Sequence, residues 1–187
     1  MDLEGWKWGE ADPGSTGGTV TWSLAALALP GSYFDFLTPA PDFQAEIRQA
    51  FAAWEAVANI DFEEVADSAT SQIRVGMAHL DGFGGMAGQA SYLLSGDAPH
   101  RPLGAEIAFD ADENWLGTPA GITLGQGGMP FEALALHEIG HAIGLAHDES
   151  SLGVMNPVVP IVDGLQLSDI AAALALYGSQ DTLFFLA

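Results

Sequence analysis

Between Asp42 and Ala58 the apolar side chains are Phe43, Ile47, Phe51, Trp54 and Val57. Steps of three and four place them on one face of a helix. Pro41 and Asp42 supply its start, with Asp42 in the N-cap position. A second helix is predicted over 130–146, with Pro130 near its start, Leu136, Ile139 and Ile143 as the buried stripe and Gly144 as terminator. A third is predicted over 168–177, capped by Ser168, with Ile170, Leu174 and Tyr177 facing inward and Gly178 after its end. β-branched and aromatic residues predict strands at 19–24, 72–77, 89–93 and 105–109, and a short one at 61–65. Residues 1–18 read as an irregular lead-in and 30–41 as a loop containing three prolines. Glycine-dense connections follow at 79–88 and 117–128, where unusual dihedrals or close backbone approach are expected. No internal repeat interrupts this order, which is an α+β pattern in a chain long enough for one domain.

Composition narrows the function classes. The chain of 187 residues carries 25 acidic side chains against four basic ones, a formal charge of −21. Lys7, Arg48, Arg74 and Arg101 are the only bases, so nucleic acid and anionic membrane surfaces are unsuitable partners. The acidity suits solubility, and some carboxylates suit calcium. No apolar run is long enough to cross a bilayer, and the first residues show no basic region leading into an apolar core. Cysteine is absent, which excludes disulfides, thiolate ligands and a cysteine nucleophile.

The candidate chemistry lies between His137 and His147, which hold three of the five histidines. His137 and His141, four apart, project from one helical face and can reach one zinc ion. Glu138 stands beside the first of them, placed to take a proton from water and return it to a leaving amine. His147 is too far along to share that face. A sharp turn at Gly144 brings it back towards the same point as the third ligand. A lone histidine is usually structural, and an isolated His-Glu-x-x-His arises in helices by chance. The full pattern, with the glycine where the turn is needed, is far more specific.

That stretch resembles the His-Glu-x-x-His-x-x-Gly-x-x-His signature of the metzincin metallopeptidases. Gly153-Val154-Met155-Asn156-Pro157 resembles their Met-turn, in the Met-x-Pro form of the matrixin, or matrix-metalloproteinase-like, branch. The stretch 167–178 is similar to the closing helix of matrixin catalytic domains, while 53–62 looks more like the serralysin branch. Asp148 departs from both branches, and Pro157 stands where serralysins carry a metal-ligating tyrosine.

The resemblance implies a zincin-like α+β fold. Its sheet is twisted and mostly parallel with an antiparallel edge strand, beside two long helices and a small C-terminal lobe with one helix. One catalytic domain then spans 1–187, with an upper lobe over about 1–147 and a lower lobe over about 148–187. The implied activity is zinc-dependent endopeptidase, with Met155 as a hydrophobic floor beneath the ligands. A peptide would lie antiparallel to an edge strand near Gly85 to Tyr92, and Val158, Val159, Ile161 and Val162 would shape an apolar pocket within 156–166. Asp81, Asp110 and Glu113 match a matrixin calcium site. A structural zinc looks lost, because Gln89 and Ala108 stand where two of its histidines would fall. His79 and His100 are read as non-ligands. A secreted monomer acting on peptides or proteins is expected. The alternative is a catalytically inactive zinc-binding domain that recognises peptides without cutting them.

Overall fold

The structure is a computed structural model that describes residues 3–26, 29–97, 101–126 and 128–180. Its elements are β1 (Gly18–Leu24), α1 (Pro41–Val57), β2 (Ile60–Glu64), β3 (Ile73–Ala78), β4 (Gly88–Leu94), β5 (Pro102–Asp110), β6 (Trp115–Thr118), β7 (Gly121–Leu124), α2 (Phe131–Ala142) and α3 (Leu167–Tyr177). The main sheet runs in the order β2-β1-β3-β5-β4. Its pairings are parallel except β4 against β5, so β4 is the antiparallel edge strand. The expected α+β architecture is therefore present. β3, in the middle, is buried at every position, as a strand covered on both faces must be.

One face of the sheet packs on α1 and α2 through Trp22, Phe51, Trp54, Ile73, Val75, Phe109 and Phe131. The indole N–H of the fully buried Trp54 donates to Leu136 O at 3.0 Å and keys α1 onto α2. The other face is covered by the 29–40 loop, whose Phe34 and Phe36 pack against Ala25, Ala78 and Ala108. Within the sheet Arg74 is a buried cation held on both sides of its guanidinium. It forms a two-point pair with Asp67 at 2.8 and 2.9 Å and reaches Glu106 at 3.0 Å.

Several local expectations are corrected. Pro41, whose missing N–H costs nothing in the first turn, is inside α1; Ala40 is the N-cap and Asp42 lies in the first turn. The stretch 117–128 is not only a connection, since it contains most of the β6–β7 hairpin. α2 stops at Ala142 rather than 146, because Gly144 takes φ +96° and turns the chain out of the helix. Almost the whole circumference of α2 is buried, not one stripe. In α3, Gln166 is the N-cap in place of Ser168, and the buried side chains are Asp169, Ala172, Ala173, Leu176 and Tyr177. Leu174 is consequently exposed, one residue off the face the periodicity assigned. The lead-in is irregular but belongs to the core, with Trp6 and Trp8 only 4% and 3% exposed. His100 lies outside the described residues.

Candidate metal centre

α2 carries His137, Glu138 and His141 through the middle of the protein. His137 and His141 stand one turn apart with ring planes at 90°. After Ala142 the chain turns at Gly144 and returns His147 to the same point. Each helical imidazole is oriented by a backbone carbonyl. His137 Nδ1 donates to Val154 O at 2.6 Å and His141 Nδ1 donates to Leu145 O at 2.8 Å. A carbonyl can only accept, so these contacts place the proton of a neutral ring on Nδ1 and leave a lone pair on Nε2.

Burial, followed by the neighbouring His141, pushes the His137 pKa down to about 4, and burial likewise lowers that of His141. Both rings are neutral at pH 7. Yet His137 Nε2 faces His141 Nε2 at 3.1 Å and His147 Nε2 at 3.2 Å. Two lone pairs so close repel unless something positive lies between them. Nitrogens on a tetrahedral zinc ion, each at about 2.0–2.1 Å, stand about 3.3–3.4 Å apart. The donor type, the tautomer and the spacing all fit zinc. Among the described residues, these three histidines are the one group of potential ligands found to converge in this way.

Glu138 is 5% exposed and accepts the backbone N–H of Ala90 on β4. Burial outweighs that bond and pushes its carboxyl pKa up to about 8. Gly88 makes room for it, since a Cβ there would stand 3.0 Å from Glu138 Oε1. The three histidines and Glu138 open on a cleft of about 540 Å³ between β4 and the 157–159 segment.

Met155 is buried beneath the site, where its sulfur fills the space a side chain at Gly140 would need. Asp169 of α3 holds this turn, accepting the N–H groups of Val154 at 3.0 Å and Met155 at 3.2 Å. Asp169, the Val154 carbonyl and the Leu145 carbonyl are supports that the sequence reading missed. Asp169 alone had a signal, being three residues after Gln166 in capping-box spacing.

The acidic residues form a different arrangement. Burial raises the Asp110 carboxyl, but backbone N–H groups of Asp112, Leu80, Asp81 and Gly82 outweigh it and hold the pKa below the usual carboxylate value. Glu113 accepts Gly84 N at 2.9 Å, and Asp81 accepts Met86 N at 2.9 Å. These carboxylates shape the glycine loop. Gln89 and Ala108 are direct register partners in β4 and β5, so the sheet brings together two positions without an imidazole. His79 Nδ1 lies 2.9 Å from Asp112.

Comparison with known proteins agrees with this geometry. The family profile described as Matrixin matches residues 20–178. Metalloendoproteinase 1-MMP of Arabidopsis thaliana is 32% identical over 158 residues, covering 80% of this chain and 41% of that protein. Human matrix metalloproteinase-19 is 34% identical over 152 residues, covering 73% and 26%. Human matrix metalloproteinase-16 is 28% identical over 156 residues, covering 76% and 25%. The chain thus spans less than half the length of these relatives. With the profile running from β1 to the end of α3 and the three histidines gathered inside it, the chain belongs to the matrixin family.

Proposed function

We propose that the protein is a zinc-dependent endopeptidase whose ligands are His137, His141 and His147 and whose proton-transfer residue is Glu138. The observation that carries this reading is the convergence of three imidazoles, with the carbonyl-oriented His137 and His141 turning unprotonated Nε2 atoms on each other at 3.1 Å and His147 Nε2 3.2 Å from His137 Nε2. A zinc ion held there supplies Lewis acidity towards the scissile carbonyl. Glu138 takes the proton of the attacking water and delivers it to the nitrogen of the breaking C–N bond. Burial raises its proton affinity above that of an exposed carboxylate, which makes it the stronger base.

β4 is the free edge of the sheet, so an extended peptide can add to it as a further strand beside Glu138. Val158 and Val159 stand at the rim of the cleft and suit an apolar side chain just after the cut, with Ile161 and Val162 following in the same segment. Met155 serves as packing beneath the ligands. Peptides or proteins outside the cell are the proposed substrates, acted on by a monomer in which 1–147 and 148–187 form the two lobes of one catalytic domain.

Calcium rests on the resemblance to the matrixin site and on the placement of Asp81, Asp110 and Glu113 around one glycine loop. A calcium titration that raises the unfolding temperature, and fails to do so in Asp81→Asn, supports it; no change in the unchanged protein removes it. For the principal reading, zinc content and cleavage of an unfolded protein such as casein are measured with Glu138→Gln. Zinc is retained and kcat falls about 10²–10⁴-fold. Undiminished cleavage contradicts the role of Glu138. Bound zinc with no cleavage by the unchanged protein, over a range of substrates, identifies a peptide-recognition domain instead.

A further inference from the structure

The last four carbonyls of a helix have no partner within it. α2 ends at Ala142, and the carbonyls of residues 142–145, at and just beyond that end, lie between the second and third metal ligands, each with a separate donor. Ala142 O accepts the Trp8 indole N–H at 2.8 Å. Ile143 O accepts the Tyr177 hydroxyl at 2.6 Å. Gly144 O accepts the backbone N–H of Glu4 at 3.0 Å. Leu145 O accepts His141 Nδ1 at 2.8 Å, and Leu145 also forms an antiparallel bridge with Leu3. Two of these four donors come from the segment 3–8, far from α2 in sequence.

That segment is itself held firmly. The backbone N–H of Trp8 donates to the Tyr177 hydroxyl at 3.2 Å, so Tyr177 relays the strap to Ile143. Lys7 is 5% exposed, and its ammonium reaches the carbonyls of Glu10 at 2.5 Å and Ser15 at 3.2 Å while lying 4.9 Å from the centre of the Tyr177 ring. Trp6 O sits where any side chain at Gly144 would be, so the turn glycine is needed for the strap as well as for its positive φ. Tyr92 of β4 donates to the Glu4 carboxylate at 2.6 Å and tethers the strap to that strand.

We propose that residues 3–8, acting with Tyr177, are a positioning element of the metal centre: they hold the 142–145 turn so that His147 meets His137 and His141. This rests on the zinc reading above. Removing one supporting hydrogen bond loosens the third ligand while leaving all three in place, an effect on metal affinity of the kind produced by losing partners behind a ligand.

The test uses single-group deletions in the full chain. Trp8→Phe removes the donor to Ala142 O, and Tyr177→Phe removes the donor to Ile143 O. Trp115→Phe is the control: it deletes another indole-to-carbonyl bond, to Asp110 O at 2.7 Å, away from the turn. Zinc affinity is measured by chelator competition, and the visible spectrum of the cobalt-substituted protein reports ligand geometry. Thermal unfolding of the metal-free forms reports general damage. Trp8→Phe and Tyr177→Phe are expected to weaken zinc about 10-fold or more and to alter the cobalt spectrum, with Trp115→Phe unchanged in both. Unchanged affinity and spectrum in the first two, or an equal loss in all three, overturns the strap. Failure of the unchanged protein to bind zinc at all overturns the metal reading, and the strap with it.

Discussion

The histidine cluster and the acidic glycine loop both gather ligand-type side chains, but they use their polar capacity in opposite ways. In the loop, the oxygens of Asp110 and Glu113 accept backbone N–H groups of residues 80–84. Their charge is spent on holding a segment that glycine would otherwise leave loose. In the cluster, one nitrogen of each helical imidazole is spent on a carbonyl, and the other is aimed at a second lone pair. Buried polar groups left facing their own kind are costly without a partner. The difference separates carboxylates that already hold a loop in place from imidazoles whose second nitrogens converge on one point.

That contrast can be broken by mutation. His137→Ala deletes a ligand, so zinc binding collapses and cleavage falls to background, read by metal content and peptide assay. Asp67→Ala leaves Arg74 buried without its two-point partner and is expected to cost about 3–5 kcal/mol in urea unfolding. A loss under about 1 kcal/mol, the range of exposed pairs, would show the pair to be unimportant. Asp110→Ala strands several loop N–H groups and is expected to cost about 1–3 kcal/mol, with zinc affinity unchanged. A large fall in zinc affinity there would erase the distinction between the two regions.

Acid provides a further check. The Arg74 guanidinium holds the Asp67 carboxyl well below its ordinary value of 3.8. A depressed folded-state pKa gives stability that is full above the unfolded value and lost as pH falls towards the folded one. Unfolding free energy should therefore drop as pH falls below about 4, and Asp67→Asn should flatten that limb. The smallest expected effect is at the surface. Arg48 and Glu64 pair at 2.7 Å but are 44% and 37% exposed, so Arg48→Ala should cost under about 1 kcal/mol.

The parts of the protein legible in its sequence are those with local periodicity. His137, His141, Gly144 and His147 lie within one short stretch, and the fixed helical repeat converts their spacing into geometry. α1 is legible for the same reason, through Ile47, Phe51 and Trp54. The early end of α2 is less so, because Trp6 O, from a segment distant in sequence, closes against the glycine that stops it. The strap had no signal. Trp8 and Tyr177 meet across the length of the chain, and a lead-in rich in glycine and acids carries no pattern that announces burial. The residue types of the acidic motif suggest a ligand set. Whether a carboxylate is already satisfied depends on backbone N–H groups that only the folded loop supplies.

The most direct test of the central claim is to titrate the metal-free protein with zinc while following cleavage of an unfolded protein. The account predicts that cleavage rises with added zinc and levels off at one ion per chain. Saturation at one ion per chain with no cleavage, or cleavage undiminished in the metal-free protein, would contradict it.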